Sequence, residues 1–134
     1  MDITGLRVVV VDDSIIKSMD IKKALEFCGV RNIRLVGNQA AVWEEIEKGE
    51  EKHEKIDLIV TDMHYPLNPG QQADYNAGFI LVNELKRQGK DIPIIICSTK
   101  NYNEPAVLGC VWYNELEDIE FKFQEILKKL EQVF

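Results

Sequence analysis

Histidine is nearly absent from this chain. Only His53 and His64 occur, too few and too far apart to argue for a zinc or other transition-metal centre. Cysteine is scarce as well. Cys28, Cys97 and Cys110 show no C-x-x-C spacing and lie in apolar company, so they read as small buried hydrophobes of a reducing compartment. No apolar run approaches the ~20 residues needed to span a bilayer, and Met1-Asp2-Ile3-Thr4 does not begin a signal peptide. Positive charge is in deficit: 16 Lys and Arg against 23 Asp and Glu give a net charge of -7. Binding to phosphate backbones relies on clustered cations, so nucleic acid is not expected as a direct partner. No glycine-rich phosphate loop and no Ser/His/Asp nucleophile signature appears.

What is present is a set of short apolar runs that end in polar groups. Leu6 to Val11 is branched and uncharged after Arg7, then meets Asp12-Asp13. Leu58-Ile59-Val60-Thr61 meets Asp62, and Pro66 then forces the chain to turn. Ile92 to Cys97 emerges at Ser98-Thr99. Runs of this kind are expected of parallel strands covered on both faces. Ile33 to Val36 and Val107 to Trp112 complete five predicted strands, the last with Gly109 inside it.

Helical patterns alternate with them. Asp13 or Ser14 caps a first helix that carries Ile21, Ala24, Leu25 and Cys28 on one face and stops at Gly29. Asn38 caps a second, with Val42, Trp43 and Ile46 inward, running into the solvated charges Glu50 to Lys55. Gly78 to Gln88 is a third, ended by Gly89. Asn114-Glu115-Leu116-Glu117 reads as a capping box opening a last helix with Leu116, Ile119, Phe123, Ile126, Leu127, Leu130 and Val133 inward. Residues 67–77, rich in Pro, Gly, Asn and Gln, form a long loop, and Pro105 limits helix in 100–108. Alternating strands and helices imply an α/β fold, one doubly wound parallel sheet in a single domain over residues 1–134. A chain near this length buries roughly two-thirds of its unfolded surface.

Asp12, Asp13 and Asp62 then stand on the carboxyl-end rim of the sheet, where open α/β folds bind ligands. Two carboxylates ~4 Å apart repel by roughly 4 kcal/mol at an effective dielectric near 20. Such a cluster raises a pKa or recruits a cation, and hard oxygens favour magnesium. The plainer reading is that Asp12 and Asp13 only cap a helix and Asp62 only ends a strand.

Val11-Asp12-Asp13-Ser14, then Asp62-Met63-His64-Tyr65-Pro66, then Pro93 to Thr99 resemble, in that order, the receiver domain of two-component response regulators. The resemblance covers essentially the whole chain, including Gly29, Gly78 and Gly109. It implies a flavodoxin-like five-stranded sheet in the order 2-1-3-4-5 with no output domain attached. By that likeness Asp62 is the phospho-acceptor. Asp13, Asp62 and the backbone carbonyl of His64 are magnesium ligands, with Asp12 holding a metal-bound water. Ser98 and Thr99 bind the phosphoryl group. A cytoplasmic, non-enzymatic signalling module is implied, fed by a histidine kinase or phosphotransfer protein and read by a downstream protein partner. A phosphatase of the haloacid-dehalogenase type would want a second Asp at position 64, where this chain has His.

The chain departs from that pattern at named positions. The family's strand-end lysine is replaced by Tyr113, followed by Asn114, and the aromatic switch position is Cys110. Lys100, just past Ser98 and Thr99, is a candidate substitute for the lysine. The stretch 99–109 is too short for the usual fourth helix, and the loop at 67–77 is long. The competing expectation is a pseudo-receiver that binds a protein without being phosphorylated.

Overall fold

The computed structural model describes residues 2–133, with side chains through 130. Met1, Phe134 and the expected inward side chain of Val133 lie outside the described residues. The strands are β1 Arg7–Val11, β2 Asn32–Val36, β3 Leu58–Thr61, β4 Tyr65–Pro66, β5 Ala73–Asp74, β6 Ile94–Ser98 and β7 Gly109–Trp112. The helices are α1 Ile15–Phe27, α2 Gln39–Glu51, α3 Ala77–Arg87 and α4 Ile119–Val133, after a 3-10 turn at Ile3–Gly5. The main sheet is parallel, in the order β2-β1-β3-β6-β7. Counted without the two short strands, that is the expected 2-1-3-4-5.

Period-two alternation sends neighbouring residues of each strand to opposite layers. Val8 and Val10 of β1, with Leu58 and Val60 of β3, pack beneath α1 and α4 on Ile21, Leu25 and Phe123. Val9, Val11 and Ile59 face the other way, onto Val42, Ile46, Leu81 and Leu85 of α2 and α3. Strands buried on both faces have no polar side to show. This is why β1, β3 and β6 read as unbroken apolar runs.

Helix starts follow the caps. Ser14 Oγ accepts from the Lys17 N–H at 3.2 Å, and Asn38 Oδ1 accepts from the Ala41 N–H at 2.9 Å. α1 ends at Gly29, whose φ of +100° is the left-handed turn that glycine supplies. No helix lies between β6 and β7: residues 99–108 form bends and one turn around Pro105. Among the described residues no helix is long and apolar enough to cross a membrane.

Two expectations change. The last helix starts at Ile119, not Leu116, and Leu116 is 91% exposed. Asn114 Oδ1 accepts from the Leu116 N–H at 2.9 Å, an Asx turn two residues on in place of a cap three residues on. The long loop, for its part, is not structureless. Tyr65–Pro66 and Ala73–Asp74 pair antiparallel, and Ala40 N–H donates to the Leu67 carbonyl at 2.9 Å, tying this ribbon to the start of α2. Pro66 is tolerated because a two-stranded ribbon is all edge.

Cys97 lies in the centre of β6 with no exposed surface, and burial pushes its thiol up to about 12. At pH 8 that leaves roughly a thousandfold fewer thiolates than an ordinary cysteine has. Cys28 and Cys110 are half-buried. In native protein treated with an aromatic disulfide reagent, Cys97 is expected to react only at the rate of unfolding. Mass mapping that finds Cys97 modified as fast as Cys110 would contradict this packing.

Candidate functional site

The sheet register builds the site. Val11 pairs with Thr61, so β1 and β3 end level and release Asp12 and Asp62 side by side. The Asp62 N–H donates to the Val11 carbonyl at 3.0 Å, and the Asp12 N–H donates to the Val36 carbonyl at 3.1 Å. One carboxylate oxygen from each of Asp12, Asp13 and Asp62 falls within a 4.8 Å cluster. The three differ in exposure: Asp12 is buried, Asp62 partly so, and Asp13 open to solvent.

Each acid is held differently. Asp12 Oδ1 accepts from the Ser14 N–H at 2.9 Å, fixing the entry to α1. Its Oδ2 is buried, and its one close partner is the Lys17 ammonium at 2.8 Å, off the angle of a good hydrogen bond. Asp62 Oδ1 accepts from the Met63 N–H at 2.8 Å and lies 3.1 Å from Lys17 Nζ. Asp62 Oδ2 takes no hydrogen bond among the described residues, leaving one oxygen of this carboxylate free at the rim.

Lys17 is the residue that sequence reasoning missed. It sits one turn before Ile21 on the inward stripe of α1, and only 6% of its side chain is exposed. That spacing was the available signal. Burial works against its charge, but Asp12 and then Asp62 outweigh it and hold the ammonium above the usual lysine range. For Asp12 burial wins over the Lys17 contact, and its carboxyl is raised. The ion pair is thus short and partly desolvated, the kind whose loss of one partner typically costs ~3–5 kcal/mol.

The other predicted residues arrange around this core. Ser98 ends β6 and is buried, its Oγ accepting from the Lys100 N–H at 3.2 Å. Thr99 is exposed, and its carbonyl accepts from Trp112 Nε1–H at 3.0 Å. The Lys100 side chain is exposed and makes no ion pair with the three acids among the described residues. The Tyr113 hydroxyl is turned to α1, where it donates to the Asp20 carboxylate. That bond holds its pKa up at about 12. The Tyr113 ring lies 5.8 Å from Lys17 Nζ, a cation–π contact against the ammonium. His64 is exposed, with its ring stacked 4.4 Å from that of Tyr75, just past the ribbon.

Behind Asp62 lies a buried polar brace. The Thr61 hydroxyl donates to the Asp62 carbonyl at 2.7 Å and shares a 2.9 Å hydrogen bond with the Tyr65 hydroxyl. Gln39 Nε2 donates to the Ala77 carbonyl at 2.8 Å and approaches the Tyr65 hydroxyl at 3.4 Å. Burial pushes the Tyr65 hydroxyl up to about 12, so it stays a neutral donor. A satisfied buried network of this kind fixes one backbone path past the acid.

No protein-family model matches the chain. Among curated proteins it is 32% identical over 97 residues to the DNA-binding transcriptional regulator NtrC of Bradyrhizobium sp. (strain RP501 Parasponia). That match covers 72% of this chain, which spans only 17% of its relative's length. Among solved structures, the chemotaxis response regulator CheY4 of Vibrio cholerae superposes with a TM-score of 0.64 at 19% identity, over 96% of this chain and 98% of that one. The isolated REC domain of RcsB from Salmonella enterica serovar Typhimurium gives 0.68 at 21% identity, over 92% and 88% of the two chains. The chain has the response-regulator receiver fold. A mutant of the receiver domain of the histidine kinase CKI1 from Arabidopsis thaliana agrees, with a TM-score of 0.66 at 17% identity and coverage of 97% and 92%. In this fold Asp12, Asp13 and Asp62 stand at the ends of β1 and β3, Tyr113 follows β7, and the connection between β6 and β7 carries no helix.

Proposed function

We propose that this receiver fold accepts a phosphoryl group on Asp62 from a histidine kinase or phosphotransfer protein and signals through a protein partner. The observation that carries the reading is the Asp62 carboxylate at the end of β3. One oxygen is fixed by Met63 and Lys17, the other is free, and Asp12 and Asp13 stand beside it. A carboxylate so placed is a nucleophile toward phosphorus, and phosphoryl transfer needs little from a protein beyond positioning and charge.

The donor set suits a hard divalent cation. Three carboxylates against one ammonium leave two negative charges, the complement of one Mg2+, and all three groups are oxygen donors. Asp13 and Asp62 would hold the ion, with the His64 carbonyl as a third protein ligand and Asp12 gripping its water. Bound there, magnesium supplies positive charge to the phosphoryl oxygens. Ser98, buried at the end of β6, offers the hydroxyl that receives them. For the protein partner, Ile15 and Ile16 in the first turn of α1 are 82% and 77% exposed just after Asp13, an apolar face at the edge of the acid cluster.

Intact-mass measurement after incubation with acetyl phosphate and magnesium tests the reading. The wild type is expected to gain one phosphoryl group, Asp62→Asn none, and chelation should abolish the gain. An unlabelled wild type that is folded would overturn it. A pseudo-receiver is the second reading. It is favoured by Tyr113, which brings no charge to the rim and whose hydroxyl is committed to Asp20.

A further inference from the structure

The missing strand-end charge leaves a question that the geometry of α1 answers. A phosphoryl group on Asp62 adds negative charge next to Asp12 and Asp13, and a cation of the chain placed beside it would share that charge with the magnesium. Lys100 is exposed and unengaged with the acids, and Tyr113 is neutral with its hydroxyl turned away. Among the described residues Lys17 alone has its ammonium inside the cluster, 2.8 Å from Asp12 Oδ2 and 3.1 Å from Asp62 Oδ1. We propose that Lys17, reaching up from the first turn of α1, is the catalytic cation of this site and takes the part that a strand-end lysine would play. This rests on the phosphoryl-acceptor reading above.

The placement is built, not incidental. Ser14 caps α1 through the Lys17 N–H, which fixes the backbone from which the side chain rises. The Tyr113 ring closes one flank of the ammonium at 5.8 Å, and Asp20 anchors that ring by its hydroxyl. The residue at the lysine's usual place has thus become part of the wall that holds a lysine from elsewhere.

The step balances without a proton. A lone pair on Asp62 Oδ2 attacks phosphorus of an acyl phosphate, the bond from phosphorus to the donor's carboxylate oxygen breaks, and the donor leaves as a carboxylate. Asp62 becomes an acyl phosphate, so its Oδ1 changes from half of a carboxylate to a neutral carbonyl. Its hold on the Lys17 ammonium weakens at the moment when phosphoryl oxygens appear one bond further out. The ammonium can follow the charge while Asp12 still tethers it.

Acetyl-phosphate labelling of Asp62 in wild type, Lys17→Met, Lys17→Gln, Lys100→Met and the double variant Lys17→Met/Tyr113→Lys tests the assignment, with each variant checked for folding by circular dichroism. Losing a charged hydrogen-bond donor should slow labelling at least about tenfold in both Lys17 variants. Lys100→Met should label like wild type, and the double variant should recover most of the loss. A readout independent of labelling is the rise in melting temperature on adding magnesium. It should be larger in Lys17→Met than in wild type, because three acids then lack their resident cation. If Lys17→Met does not fold, Lys17→Gln, which removes the charge but keeps a hydrogen-bond donor on a slightly shorter side chain, decides. Wild-type labelling with unimpaired Lys17 variants overturns this assignment and leaves the acceptor reading intact. So does a folded double variant no faster than Lys17→Met. An unlabelled wild type overturns both.

Discussion

Phe123→Ala is expected to lower unfolding free energy by ~3–5 kcal/mol, the range for removing a buried aromatic side chain. Phe123 projects from the middle of α4 with no exposed surface into the layer formed by Val8, Val10, Leu58, Val60 and Leu25. The β-branched Val8, Val10 and Val60 on the sheet cannot rotate into the space, so the cavity stays largely open. The melting temperature should fall by roughly 10–20 °C for a domain of this size. Urea denaturation measures the loss directly, with the midpoint shifting and the slope unchanged. A change below about 1 kcal/mol would mean that α4 is not docked on the sheet as described.

The second large effect belongs to Gly78. A Cβ built there would lie 2.7 Å from the Asp62 carbonyl oxygen and 3.2 Å from Met63 Cα and Sδ. These are mostly backbone atoms, and the Gly78 N–H already donates to the Met63 carbonyl at 3.1 Å. Gly78→Ala must therefore push the start of α3 away from the chain that carries Asp62. Overpacking of this kind costs ~1–3 kcal/mol. It should also slow acetyl-phosphate labelling, because the acid's own peptide is what moves. Gly109 gives the contrast. The three atoms nearest a Cβ there all belong to the Ile126 side chain, at 2.8–2.9 Å, so Gly109→Ala should be eased by Ile126→Ala while Gly78→Ala, pressed on the Asp62 carbonyl, finds no such partner. A Gly78→Ala protein that melts and labels like wild type would show the approach to be looser than described.

The sheet was legible in the sequence because β1, β3 and β6 are buried on both faces, which strips them of polar residues. The acids that follow β1 and β3 were equally plain, since a carboxylate has no place inside such a strand. Gly29, Ser14 and Asn38 marked helix ends by local chemistry alone. Lys17 was hidden for a physical reason. A long cationic side chain on a helix is ordinarily solvated, and only the turn-by-turn spacing to Ile21 hinted that this one points inward. Lys100 drew attention instead because it is near Ser98 in sequence. Asn114 misled because the same side chain serves a cap or an Asx turn, and the choice depends on where α4 meets the core at Ile119. The β4–β5 ribbon escaped notice because two-residue strands leave no periodicity to read.

That ribbon has a consequence for what the chain tolerates. The bond from the Gly78 N–H to the Met63 carbonyl closes a ring whose two ends meet directly behind Asp62, and Tyr65 and Asp74 rung it a second time. Everything between Asn68 and Gln72 hangs outside those closures and is exposed, with Gly70 at φ +78° at the bend. Lengthening a loop costs only ~0.6 kcal/mol per doubling once its ends are fixed. The tip is therefore a splice point: a foreign peptide entering beside Gly70 would be carried on a stem that keeps its bulk and its tension from reaching the acids.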